Sequence, residues 1–278
     1  AIGLTPEGSP FTPPSWHAGF MSLPAMWSAG RYETVGLRIA HIAEDVVDAV
    51  GRRRPLPGAA VVDLACGTGS AALAAAARGA LVTGVDITPD LMAIGAAKDG
   101  GGSVTWVTAD ASDTGLPGGA FDAVVSNMGV VFVEPKAQVA EIARLLAPGG
   151  TVAFSVWVRA EANPLFDPVI TVLGPPPDRD FTPDQWGDEE IATARLAAEF
   201  DDIALQSGSH TWEFASHAEA MAFVVDESPM HLAVFERARG PQRDELIAAF
   251  DDAMRAHADG RGGVSFDSPY AVVTATRR

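Results

Sequence analysis

The sequence predicts an α/β protein with a mainly parallel sheet flanked by helices, and three observations predict it. Short apolar, β-branched runs recur at the spacing of βαβ units, each followed by a helical stretch. Those runs are nearly continuous in apolar character, as strands buried on both faces must be. A Gly-rich turn, Asp63-Leu64-Ala65-Cys66-Gly67-Thr68-Gly69-Ser70, joins the first such run to a helix, and Asp86 ends the next run.

Residues 1–14 are rich in Pro, Gly, Thr and Ser and lack the basic–apolar–small pattern of a secretory signal. They read as a disordered arm or a cloning remnant outside the fold. Residues 15–58 are expected to form N-terminal lid helices, and 59–278 the main α/β domain with insertions at 159–187 and 216–260. Residues 32–50 are amphipathic, with Val35, Ile39, Ile42 and Val46 on one face, and Pro55, Pro57 and Gly58 stop that helix. Residues 59–64 form the first strand. An Ala-rich helix over 70–78 ends at Gly79, and a second strand over 81–85 ends at Asp86. Thr88 and Pro89 then supply an N-cap and first-turn proline for a helix through Ala97.

Strands follow at 104–108 and 121–126. Pro135 opens a helix with Val139, Ile142, Leu145 and Leu146 inward, Pro148-Gly149-Gly150 closes it, and 151–157 is the fifth strand. The rhythm then breaks in the Pro-rich 159–187. A helix over 188–200 and a strand over 203–214 come next. Ser216-His217-Ala218-Glu219 is a capping box that starts a helical insertion, in which Leu246, Phe250, Met254 and His257 share a face. A last strand is expected over 270–276, in position to pair antiparallel with its predecessor at one sheet edge.

Totals narrow the partners. The 278 residues carry a net charge of −17 and a 47% apolar content. Nucleic-acid binders need a basic stripe to neutralise phosphates, and the main basic run, Arg52 to Arg54, reads as a helix C-terminus that suits the helix dipole. Nucleic acid and anionic membranes are therefore excluded as partners, and no long apolar window suggests a membrane span. A single cysteine, Cys66, permits no internal disulfide, so a reducing cytoplasm is the expected location. No spaced cluster of His, Cys, Asp and Glu suggests a metal site.

The Gly-rich turn carries the chemistry. Gly67 and Gly69 lack Cβ atoms, so the backbone can turn tightly and a ligand can lie against it. The carboxyl ends of parallel strands are where such sheets bind ligands. Asp86, ending the second strand, can accept from both hydroxyls of a ribose. Two cofactor readings compete. Gly67-Thr68-Gly69-Ser70-Ala71-Ala72 satisfies the dinucleotide fingerprint, with Asp86 near the expected distance beyond it. Asp63 shifts the balance, because a carboxylate just before the turn suits a cationic amino-acid end and sits badly near a pyrophosphate. Asp110, past the third strand, can accept from an adenine amino group.

At these residues the sequence resembles the class I S-adenosylmethionine-dependent methyltransferases, especially their ubiquinone-biosynthesis-type branch. The stretch VVDLACGTGSAALAAAARGALVTGVDITPDLM, AD at 109–110, LPGGAFDAVVSNMGVVF at 116–132 and RLLAPGG at 144–150 stand in family order at family spacing. The resemblance covers about 59–157, with a weaker echo in AMWSAGRYE at 25–33. It implies a Rossmann-like, seven-stranded, mostly parallel sheet with one reversed strand, flanking helices and a helical lid. It implies S-adenosyl-L-methionine as cofactor and a small-molecule methyl acceptor. Asp63, Ala65, Gly67 and Gly69 would cradle the methionine portion, with Ala65 standing where many members have glycine. Asp86 would hold the ribose, Ile87 and Leu91 the adenine face, and Asp110 and the Ala111 amide the adenine edge. Asn127 would lie near the sulfonium, and Tyr32 would close the methionine end.

Plain structural roles stand beside these. Asp86 could cap the turn at Thr88, Asp110 could form an Asx turn, Tyr32 could merely pack, and Cys66 reads as a small buried residue. The cofactor carries the reactive chemistry of methyl transfer, so a base is required only if the acceptor must lose a proton. His17 and His231 fall in segments expected to cap the pocket and are the candidate bases. Lid segments carry Trp16, Phe20, Met21, Met26, Trp27, Phe166, Met221, Phe223 and Met230, which would suit an apolar or aromatic acceptor. Two other readings stay open: a nicotinamide-dependent oxidoreductase, and a non-catalytic protein that senses S-adenosylmethionine.

Overall fold

The computed structural model describes residues 26–175 and 181–278. The arm at 1–14, together with Trp16, His17, Phe20 and Met21, lies outside the described residues. Seven strands are present: β1 (Ala60–Leu64), β2 (Leu81–Asp86), β3 (Val104–Thr108), β4 (Phe121–Asn127), β5 (Leu146–Trp157), β6 (Phe200–Phe214) and β7 (Val264–Arg277). They form one sheet in the order β3-β2-β1-β4-β5-β7-β6. All neighbours are parallel except that β7 runs antiparallel to both β5 and β6. Strand order reverses between β1 and β4, and that switch opens a crevice at the strands' carboxyl ends.

Helices cover both faces: α1 (Tyr32–Arg38), α2 (Ala40–Gly51), α3 (Ser70–Ala77), α4 (Pro89–Asp99), α5 (Pro135–Leu145), α6 (Asp167–Leu173), α7 (Glu189–Leu196), α8 (His217–Ala222), α9 (Pro229–Arg237) and α10 (Gln242–Ala256). Adjacent strand residues point to opposite faces. Val61 therefore joins the core of Ile42, Val46, Ala72 and Ala75, while Val62 joins that of Val124, Ile142, Leu145 and Phe154.

Several boundaries differ from expectation. The helix expected over 32–50 breaks at Ile39, whose carbonyl accepts from Ile42 N in a tighter turn and from Asn127 Nδ2. Of these two helices α1 borders the crevice, whereas α2 buries Ile42, Ala43, Val46, Val47, Ala49 and Val50 against the sheet and is a flanking helix. Thr88 occupies the N-cap of α4, yet its hydroxyl makes no cap bond. Glu219 N receives its cap from Ser216, but the Glu219 carboxylate accepts from Ala215 N rather than closing the box.

The edge pair is longer than the apolar pattern suggests, because β6 and β7 pair from Phe200↔Arg277 to Phe214↔Val264. Pro269 is accommodated there because its carbonyl side faces β5, which ends at Trp157; Val158 N donates to that carbonyl. The basic run ties α2 to the sheet: Arg52 reaches Gln206, Arg53 reaches Thr274 and Thr276, and Arg54 pairs with Asp122 at 2.7 Å. Among the described residues no helix is long and apolar enough to cross a membrane.

Trp106 on β3 sets how closely the layers approach. A Cβ at Gly69 would overlap its ring, one at Gly95 would stand 2.6 Å from it, and one at its neighbour on β2, Gly84, 3.0 Å. These glycines are the space the indole fills. Alanine for glycine inside a helix ordinarily gains about 0.5–1 kcal/mol. Gly95→Ala should instead lose about 1–3 kcal/mol in urea unfolding, because a rigid ring is overpacked. In a Trp106→Leu background the same substitution should become stabilising.

Candidate functional site

The turn after β1 runs through left-handed backbone at Ala65 (φ 52°), Gly67 (φ 53°) and Gly69 (φ 81°). Glycine adopts this freely, whereas at Ala65 it is strained. Two interactions hold the turn. Cys66 N donates to Val85 O at 3.0 Å, and Gly67 N donates to Asp86 Oδ2 at 2.8 Å. The other oxygen, Asp86 Oδ1, accepts from Thr88 N at 2.8 Å. Asp86 thus does act on the turn at Thr88, while still bordering the crevice. Burial pushes its pKa up, and the N–H donors oppose that rise.

Tyr32, at the start of α1, lies over Gly67, where a Cβ would stand 3.2 Å from its hydroxyl oxygen. Burial, then the Asp86 charge, raises its pKa, so the phenol stays protonated. Beneath the turn is Asp63, 1% exposed. Its Oδ2 accepts from Ala72 N at 2.8 Å, and its Oδ1 has no partner among the described residues. Burial holds its pKa well above the carboxylate range. An unpaired buried carboxylate oxygen calls for a cationic donor, which the ammonium end of S-adenosylmethionine would supply. The residues present therefore fit that cofactor.

Across the crevice, Met128 (φ 58°) is the second strained residue. Ser155 Oγ accepts from Met128 N and donates to Asn127 Oδ1, while Ser126 Oγ donates to Leu64 O and accepts from Val130 N. Asn127 Nδ2 donates to Ile39 O and Ser70 Oγ. Gly129 is obligatory here, since its Cβ would stand 2.7 Å from the Cβ of Ala65 and overlap the Ala65 carbonyl oxygen.

Of the residues nominated from sequence, Tyr32, Ala65, Gly67, Asp86, Ile87, Leu91, Asp110 and Ala111 line one cavity of about 800 Å³. Asp63 lies under its floor, Gly69 faces Trp106, and Asn127 is engaged by the backbone and serines around it. Asp110 forms the Asx turn, its Oδ1 accepting from Ser112 N and Oγ. His231 lines the cavity, and His17 lies outside the described residues.

The cavity continues beyond the Gly-rich turn into an apolar chamber walled by Trp27, Phe132, Trp157, Phe166, Trp212 and Phe223. Met230 also borders it, whereas Met221 packs on the core. Sequence reasoning missed Trp157, Trp212, Gly129 and Ser228. Trp157 ends β5 and Trp212 lies inside β6, and their direction toward the cavity depends on the β5–β7–β6 order. Gly129 carried a usable signal, a glycine two residues past the end of β4 at the switch point.

Comparison with known proteins agrees with this arrangement. A family profile described as a methyltransferase domain matches residues 62–154. An uncharacterised protein of Mycobacterium tuberculosis is 30% identical over 194 residues, covering 67% of this chain and 69% of that protein. Nocamycin O-methyltransferase of Saccharothrix syringae is 33% identical over 135 residues, 46% of this chain and 47% of that one. A solved structure of a putative type II methyltransferase from Anaeromyxobacter dehalogenans shares the fold with a TM-score of 0.57 at 20% identity, over 84% of this chain and 95% of that chain.

Asp63 yields a prediction with a definite sign. Its folded pKa is raised, so the folded state binds the extra proton and this group's contribution to stability falls as pH rises above the unfolded carboxylate pKa. Asp63→Asn should therefore stabilise the ligand-free protein by about 1–3 kcal/mol at neutral pH. The gain should shrink as pH falls toward 4. Thermal melts of both proteins across that range check it, and the difference between them cancels the histidine contributions they share.

Proposed function

The chain belongs to the class I S-adenosylmethionine-dependent methyltransferases, and from that premise we propose that it transfers a methyl group to an apolar, aromatic small molecule held in the chamber beside the Gly-rich turn. The observation that carries the cofactor half of this reading is the unpaired Asp63 oxygen beneath Gly67. A cationic amino-acid end would satisfy it and draw the proton off the carboxyl, whereas a pyrophosphate brings no donor to it. That asymmetry disfavours the nicotinamide alternative.

Bound there, S-adenosylmethionine supplies an electrophilic methyl group on a sulfonium. In this reading Asp63 holds the ammonium end through the turn, and Tyr32 covers the methionine portion. Asp86 takes the ribose hydroxyls while keeping Gly67 in place. Ile87 and Leu91 lie against the adenine, and Asp110 Oδ2 with the Ala111 amide reads its edge. Asn127 acts through the loop it orders. The chain's contribution to rate is orientation and exclusion of water, which can supply up to roughly 7–11 kcal/mol.

The aromatic walls support the acceptor half. Flat apolar molecules bury area against such rings and stack on them. We take α1, residues 159–175 and 181–187, and α8–α9 as the cover that closes over both ligands. The lone, buried Cys66 needs no oxidising compartment, in keeping with action in the cytoplasm.

Calorimetric titration tests the cofactor, using S-adenosylmethionine, S-adenosylhomocysteine, NADH and NADPH. Micromolar binding of S-adenosylmethionine and of its thioether product, and of neither nicotinamide cofactor, is expected. Asp63→Asn should weaken S-adenosylmethionine about 10–100-fold, the worth of one charged hydrogen bond, and Asp86→Ala should abolish binding. Binding of a nicotinamide cofactor instead would overturn the proposal.

A further inference from the structure

Ser228 stands at the N-cap of α9, where a serine oxygen ordinarily accepts an N–H of the first turn. Here it makes no cap bond. Its Oγ lies instead 2.7 Å from His231 Nδ1, and His231 Nε2 lies 2.9 Å from the Leu165 carbonyl oxygen. A carbonyl only accepts, so Nε2 carries the proton and donates to it. Nδ1 is then a lone pair, and the Ser228 hydroxyl donates to Nδ1. That direction leaves the Ser228 lone pairs for a donor arriving from the chamber, which both residues line.

Other polar groups on the wall serve local backbone or packing. Asn163 Oδ1 accepts from Leu165 N, the Glu134 carboxylate caps α5, and Ser268 Oγ accepts from Trp212 Nε1. Ser228 has given up its cap for a buried histidine. Resting on the methyltransferase reading, we propose that the acceptor carries a hydroxyl on its aromatic frame and that Ser228 and His231 relay the hydroxyl proton as the oxygen is methylated.

The atoms balance. The acceptor oxygen's electron pair forms the bond to the methyl carbon, and the carbon–sulfur pair leaves on sulfur. The acceptor O–H proton passes to Ser228 Oγ as the Ser228 proton passes to His231 Nδ1. The imidazolium returns its proton to water when the product departs. Burial pushes the His231 pKa down to about 4, so the imidazole is neutral at working pH. A base that weak does not ionise a phenol beforehand. A protonated ether is a far stronger acid than this imidazolium, so the proton moves late, once the carbon–oxygen bond is forming. A methylated aliphatic amine holds its proton more tightly than the imidazole can take it, and the pair therefore matches oxygen acceptors.

The test uses the full chain, S-adenosylmethionine and two probes of one shape: 2-naphthol, and naphthalene-2-thiol, which ionises unaided near neutral pH. Wild-type protein is expected to methylate both. Ser228→Ala should lower kcat on 2-naphthol about 100-fold, with KM, the thiol rate and the calorimetric cofactor affinity all within about threefold of wild type. His231→Gln should show the same split, and Ser228→Thr should restore most of the naphthol turnover. Equal losses on both probes would mark the pair as a clamp on α9 and overturn the relay. Wild-type protein that binds S-adenosylmethionine but leaves 2-naphthol unmethylated would overturn it too. Failure to bind S-adenosylmethionine would overturn the functional reading beneath it.

Discussion

The Asp86 carboxylate accepts from Gly67 N–H through one oxygen and from Thr88 N–H through the other, so the turns after β1 and β2 are pinned to one group. Those turns form the floor and side of the crevice, and Tyr32 closes over the first of them. The same carboxylate lies close enough to Asp63 to raise its pKa, so two acidic groups share a buried region with little to neutralise them. A binding site for a cation is the arrangement that relieves this, and the ligand-free protein carries its cost.

Two of the three left-handed non-glycine residues among the described residues lie at the same place, the third being Asp202 at the irregularity in β6. Ala65 and Met128 have left-handed φ and face each other across the crevice, with Gly129 permitting the approach. Such conformations persist only where surrounding bonds over-determine them. Here Ser126, Asn127 and Ser155 do so, and Asn127 extends the network to the break between α1 and α2. Closure of α1 over the turn and the geometry of the β4 loop are therefore mechanically linked.

The apolar chamber beside the Gly-rich turn is built differently. Its aromatic walls, Phe132 apart, come from Trp27, from the end of β5 and the segment after it, and from β6 and the helical stretch that follows, outside the stretch of 62–154 matched to the methyltransferase domain. A sheet of this kind supports many chemistries because its binding residues lie on appended segments. Most of the aromatic rings and the Ser228–His231 pair lie beyond that matched stretch.

The alternation of buried strands and helices was legible in the sequence because parallel strands covered on both faces must be apolar throughout. The Gly-rich turn and the carboxylates at strand ends were legible too, since local backbone geometry and short spacings dictate them. Eight residues nominated for the cofactor accordingly meet in one cavity. Tertiary contacts alone decided the rest. The break at Ile39 depends on Asn127, far along the chain; the length of β7 depends on β6 as its partner; and Trp106 explains Gly69 and Gly95 only once α3, α4 and β3 are packed together. Ser228 carried no signal in the sequence, because its partner His231 is oriented by the Leu165 carbonyl, far away along the chain. Periodicity reports what a residue is buried against on its own element, whereas these roles arise from partners that sequence separation conceals.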